Sequence, residues 1–114
     1  MQTFLDLPGV SGVTYRFQRV DDLGQLPAIA GNFVFVRQDD PKLTVICCGT
    51  DETLLHAADQ WPAAVKEHGV QAIFVRRNIS WKTRAHEHAD IVEQHHPAMI
   101  LSAELERLLN SSVA

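Results

Sequence analysis

The chain is poor in the residues that usually announce chemistry in a small protein. It has two cysteines in 114 residues, and they are neighbours, Cys47-Cys48. An adjacent pair cannot build a disulfide framework, so a disulfide-stapled extracellular scaffold is excluded. Neither Cys-x-x-Cys nor His-Glu-x-x-His spacing occurs, which removes the strong zinc signatures. There is no Gly-x-Ser-x-Gly elbow and no phosphate-binding glycine loop. No run approaches 18 apolar residues, so no membrane-spanning helix is expected. The opening stretch, MQTFLDLPGV, lacks a basic segment followed by an apolar one, so no secretory signal is read and the cytoplasm is the expected compartment. Basic residues are outnumbered, 10 against 14, for a net charge of −4. That disfavours general affinity for nucleic acid, which needs a positive surface.

What is present is enough apolar material for a core. Hydrophobic residues make up 46% and charged residues 21% of the chain. Those proportions read as globular, and the length reads as one domain over 1–114. A chain of this size can fold without a metal or a disulfide, and no cofactor is expected.

Periodicity supplies the elements. Residues 13–18, VTYRFQ, alternate Val13, Tyr15 and Phe17 against Thr14, Arg16 and Gln18, as a half-buried strand does. Residues 21–31 are broken by Gly24, Pro27 and Gly31 and read as a connection with at most one helical turn. FVFVR at 33–37 and LTVICC at 43–48 flank the turn signal QDDP and predict a hairpin buried on both faces. Thr50 or Asp51 is expected to cap a helix carrying Leu54, Leu55, Ala58 and Trp61. Pro62 is expected to begin a second short helix ending at Gly69. VQAIFVR at 70–76 predicts another central strand. Ser80 caps a helix over 81–95 that stops before Pro97. Ser102 opens a last amphipathic helix. The fold class is α/β (α+β), a small, mainly antiparallel sheet flanked by helices. Residues 1–30 form an extension with one strand, 31–101 the core and 102–114 the closing helix.

The histidines are weighed singly. His86 and His88 face opposite ways on a helix and make no metal pair. His95 and His96 sit in a last turn, and His68 precedes Gly69, so all three read as helix-end residues. His88 falls on an expected buried stripe with Trp81, Ala85 and Val92, where a histidine is ordinarily a core residue. Cys47 and Cys48 point to opposite faces of their strand and cannot share one ion. Arg76, Arg77, Lys82 and Arg84 form a basic cluster, read either as a solvated face or as a phosphate-binding patch.

Several anchors together resemble the GIY-YIG endonuclease superfamily. Gly31-Asn32-Phe33 stands where that family has Gly-Ile-Tyr, and Cys47-Cys48-Gly49 stands where it has Tyr-Ile-Gly. Leu54 matches an apolar helix position. HADIVEQHHP at 88–97 resembles the late helix, with Ile91-Val92 for Leu-Ile and Pro97 nine residues after His88. The resemblance covers roughly residues 31–101 and implies a small sheet flanked by helices. It also implies that the catalytic positions are replaced. Phe33 and Cys47 stand for the two tyrosines, Ala57 for the arginine and His88 for the metal-holding glutamate. Thr50 stands for the lysine and Ile100 for the asparagine. Phosphodiester hydrolysis needs a cation or metal and a base, and this set supplies no hard oxygen ligand.

Three functions follow as expectations. The first is a non-catalytic interaction or regulatory module on a degenerate scaffold. The second is a repurposed Cys47, His56 and His88 pocket acting as an enzyme or soft-metal site. The third is nucleic-acid binding without cleavage through Arg76, Arg77, Lys82 and Arg84. The strand at 13–18 either extends the sheet or pairs with a second copy at an edge, which makes a homodimer a further expectation.

Overall fold

The computed structural model describes residues 1–102. Its strands are β1 (Phe4–Pro8), β2 (Thr14–Val20), β3 (Gly31–Asp39), β4 (Lys42–Asp51), β5 (Ala72–Arg77) and β6 (Met99–Leu101). The helices are α1 (Ala57–His68) and α2 (Trp81–His95), with 3₁₀ turns at Leu23–Gln25 and Leu54–His56. All six strands join one sheet in the order β1-β2-β5-β3-β4-β6. Only β4 and β6 run parallel; every other neighbour pair is antiparallel. This is the mixed, mainly antiparallel α/β architecture that the periodicity implies.

The expected hairpin is β3–β4, closed by Asp40-Pro41 between the paired residues Asp39 and Lys42. Its strands are buried on both faces because a helix covers each. On one face Val34, Val36, Val45, Cys48 and Phe74 pack with Tyr15, Phe17 and Ile91 of α2. On the other, Phe33, Phe35, Ile46, Cys47, Ile73 and Val75 pack with Leu54 of the 3₁₀ turn and with Ala57 and Ala64 of α1. β5 lies between β2 and β3, a central position, as its unbroken apolar run requires.

Several elements depart from expectation. β4 continues through Asp51, so no helix starts at Thr50; Thr53 instead accepts from Leu55 N at 3.3 Å and opens the 3₁₀ turn. α1 is one helix that carries Pro62 inside it, not two helices divided there. Pro62 has no N–H to give the preceding turn. Packing outweighs that loss: Trp61 meets Phe35 edge-on at 5.2 Å, and Ala57 and Ala64 are fully buried. Gly69, at φ 65°, closes α1 by donating to Val65 O at 2.9 Å.

The N-terminal extension holds two strands, not one. β1 alternates buried Leu5 and Leu7 with exposed Phe4, Asp6 and Pro8. The short β6 was also not expected, and Ile100 lies in it, half-exposed. The helix expected over 102–114 lies outside the described residues apart from its first residue. No helix among the described residues is long and apolar enough to cross a membrane.

Candidate functional site

The residues that the resemblance sets at catalytic positions are divided between the two faces of the sheet. Phe33, Cys47 and Ala57 belong to the cluster beneath α1. Thr50 alternates with Gly49 and lies, like Cys48, on the α2 face. His88 packs there with Asn32, Cys48 and Ile91. The space that these residues enclose with Phe33 has no room for a water molecule. Cys47 is wholly inaccessible, and burial pushes its thiol up to about 12. Burial raises Cys48 as well, and the neighbouring Cys47 adds to it. A thiol that cannot ionise is neither nucleophile nor ligand. Burial lowers the His88 pKa, so its imidazole is neutral at pH 7. His56 is on the α1 side, half-exposed, with Nδ1 3.0 Å from Asp51 Oδ1. Cys47, His56 and His88 therefore do not converge. Among the described residues no three His, Cys, Asp or Glu side chains gather as a metal site.

His88 is buried as expected; of its expected stripe Val92 packs on the core and Ala85 is half-buried, and only Trp81 departs. The inner face of α2 is Arg84, Glu87, His88 and Ile91, while Trp81 is 43% exposed. A polar network occupies this inner face. Arg76 Nε donates to Glu87 Oε1 at 2.7 Å. Asn78 Nδ2 donates to Glu87 Oε1 and to Asn32 Oδ1, both at 3.0 Å. Asn32 Nδ2 in turn donates to Arg84 O at 2.9 Å. Arg84 Nη1 donates to Ile79 O at 2.6 Å and Asn78 O at 3.4 Å. A second knot holds the β1–β2 turn: Asp90 accepts from Ser11 N, Ser11 Oγ and Tyr15 Oη. Hydrogen bonds from Ser11 and Tyr15 keep the Asp90 carboxyl below its ordinary range.

That network also breaks up the expected basic patch. Arg84 is buried as a loop brace, and Arg76 is committed to Glu87. Lys82 is exposed on α2, and Arg77 is exposed at the end of β5. The histidines at helix ends behave largely as expected. His96 forms the left-handed cap of α2, and His95 Nε2 meets Pro8 O at 2.9 Å.

The structure instead assembles a different basic surface. α1 covers the centre of the sheet and leaves β1 and β2 uncovered on its side. There a groove of about 430 Å³ runs between β2, β5 and the loop after β2. Arg16 and Arg77 line it, with Arg19 and Arg76 at its border on strand positions that alternate to the α2 face, Gln18 and Gln25 as amides and Val20, Pro27 and Val75 as apolar wall. Gln18 pairs with Val75 across β2 and β5, so the register continued by two residues sets Arg16 opposite Arg77. Like charges opposed on a sheet repel unless compensated.

No family model, curated protein or solved structure matches this chain.

Compensation in the groove is uneven. Arg16 is held bidentate by Asp6, at 2.9 and 3.1 Å, and lies 5.0 Å over the Phe4 ring. Arg19 pairs with Asp21 at 2.8 Å, and Arg76 with Glu87. Arg77 has no ion-pair partner among the described residues. The exposed pairs are weak in water and can yield to a ligand anion. Sequence reading found Arg76 and Arg77 but missed Arg16 and Arg19. They lie about 60 residues away in the chain, and only the β2–β5 pairing joins them. The alternation of Arg16 with buried Tyr15 and Phe17 was the available signal.

Proposed function

We propose that this chain is a non-catalytic binding module on a GIY-YIG-like scaffold, with the arginine-lined groove as its ligand face. The observation that carries this reading is a contrast. Every position where the resemblance expects chemistry is occupied by a side chain that cannot supply it, most of them sealed into the core. The open recess lies elsewhere.

Two further features support the scaffold. The element order from 31 to 95, strand, strand, helix, strand, helix, is the order the resemblance implies. Both glycines of the matching triplets stand where a side chain cannot. A Cβ at Gly31 would fall 2.3 Å from Arg76 O, and one at Gly49 would fall 2.1 Å from Phe33 Cζ.

Arg77, uncompensated and opposite Arg16, favours an anionic ligand, and a nucleic-acid backbone held without cleavage is the second reading. The test is twofold. Supercoiled plasmid and branched DNA are incubated with the pure protein in Mg²⁺ or Mn²⁺; metal-dependent cleavage overturns the proposal. A labelled single-stranded oligonucleotide is then titrated by anisotropy at several salt concentrations. Two neutralised phosphates give a log–log salt slope of about −1.4. Loss of that binding in Arg16→Ala and Arg77→Ala supports the second reading. Absence of binding at low salt removes it and leaves an interaction module.

A further inference from the structure

The corner between β5 and α2 presents an unusual combination of rigidity and exposure. Along Arg77-Asn78-Ile79-Ser80-Trp81-Lys82, Asn78 points inward while Arg77, Ile79, Trp81 and Lys82 are exposed. Ile79 is 75% exposed, the largest value among the exposed large hydrophobic residues, and Trp81 is 43% exposed. A bare aliphatic side chain on a loop would normally fold back onto the core. Here the backbone prevents it. Arg84 Nη1 grips the carbonyls of Asn78 and Ile79, and Asn78 N donates to Ala30 O at 2.9 Å. The Asn78 side chain is tied to Asn32 and Glu87. Ser80 caps Thr83 N at 3.4 Å, and its carbonyl accepts from Arg84 N at 2.9 Å. A buried arginine, a buried glutamate and a buried asparagine are costly to desolvate, and together they fix a loop that leaves Ile79 and part of Trp81 exposed.

We propose that this corner is a docking point for a short acidic segment of another protein that buries apolar side chains against Ile79 and Trp81. Pre-organisation is the reason a small surface can bind at all, because the ordering cost is met in the free protein. Trp is the residue type most enriched at binding hot spots. Arg77 and Lys82 flank the apolar pair, and neither has an ion-pair partner among the described residues. An acidic partner therefore complements them. A second copy is less suited: a two-fold contact through this patch would bring two positively charged patches together. Nucleic acid is less suited, because its binding draws on an extended positive surface and the chain carries a net charge of −4. The surface is separate from the groove except for Arg77, which borders both.

The probe is a synthetic 15-residue peptide with Leu and Phe at helical spacing and glutamates between them. Two controls share its length: a scrambled sequence, and one with lysine for glutamate. Titration into ¹⁵N-labelled full-length protein is expected to shift the amides of residues 77–84 and leave residues 16–19 unmoved. Ile79→Ser and Trp81→Ala are each expected to weaken binding about tenfold or more, and Ile79→Ser, at the more exposed position, to do so without lowering the thermal midpoint. Lys82→Ala is expected to reduce affinity by a smaller factor and to flatten its salt dependence. Equal binding of the scrambled peptide overturns the proposal. So do undiminished binding by Ile79→Ser, a preference for oligonucleotide or anionic vesicles at this corner, and absence of any shift at millimolar peptide. Arg16→Ala should leave this binding intact, so failure of the groove and failure of the corner are told apart.

Discussion

The ring of Phe33 lies directly over Gly49, where an added Cβ would come within 2.1 Å of Cζ. The two residues are cross-strand partners in the β3–β4 hairpin. The glycine is therefore required by its neighbour and not by its own backbone angle. Gly49→Ala is expected to destabilise the protein by about 2 kcal/mol, as overpacking does. Phe33→Leu in the same chain should recover part of that loss, although alone it costs about 1 kcal/mol. Urea unfolding of the two single variants and the double variant measures the coupling. Additive losses would show that the contact does not constrain Gly49.

Both cysteines are expected to be silent in the folded protein. Burial holds Cys47 at about 12 and raises Cys48 further. Ellman's reagent at pH 8 should label neither thiol in native buffer and both in guanidinium. Rapid native labelling of Cys47 would revive a thiol-based role.

His88 gives a pH dependence with a definite sign. Its folded pKa lies below the unfolded value of about 6.5 because burial penalises the imidazolium. Below pH 6.5 the unfolded chain binds more protons, so stability is full above that pH and falls as the pH drops toward the folded pKa. His88→Asn should flatten the stability profile between about pH 6.5 and the folded pKa. Asp90 acts lower on the scale: Ser11 and Tyr15 hold its carboxyl below the usual range, so its contribution persists until the pH falls below about 3.9. Thermal midpoints of both proteins across pH 3–8 separate the two.

Glu87 is the acceptor on which Arg76 and Asn78 meet. Glu87→Ala leaves both donors facing a buried gap and should cost about 3 kcal/mol. Glu87→Gln keeps one oxygen and should cost less. Amide exchange should report the loss locally, at residues 78–84, before the rest of the sheet is affected.

Much of the fold was legible because its signals are local. The alternation of Tyr15 and Phe17, the QDDP turn between two apolar runs and the Ser80 and Gly69 caps each mark an element from within a few residues. Elements whose stability is borrowed were not legible. β6 exists because β4 offers an edge, and α1 survives Pro62 because Trp61 packs on Phe35. The missed strand β1 did carry a local sign, Leu5 and Leu7 alternating about Asp6, in a stretch too short to stand alone.

The sequence by itself determined that the two cysteines must be read singly, since neighbours on a strand face opposite ways. It also determined that Phe33, Cys47, Ala57 and His88 include no hard oxygen ligand for a metal ion. Both follow from residue chemistry and the twofold period of a strand. Only the tertiary structure decided where the charges go. Arg84 turned inward to brace a loop, Arg76 turned to Glu87, and Arg16 and Arg77 came to line one groove between strands distant in the chain. Such placements depend on which donors and acceptors meet when helix and sheet close, and a burial cost of several kcal/mol per unpaired charge makes those meetings decisive.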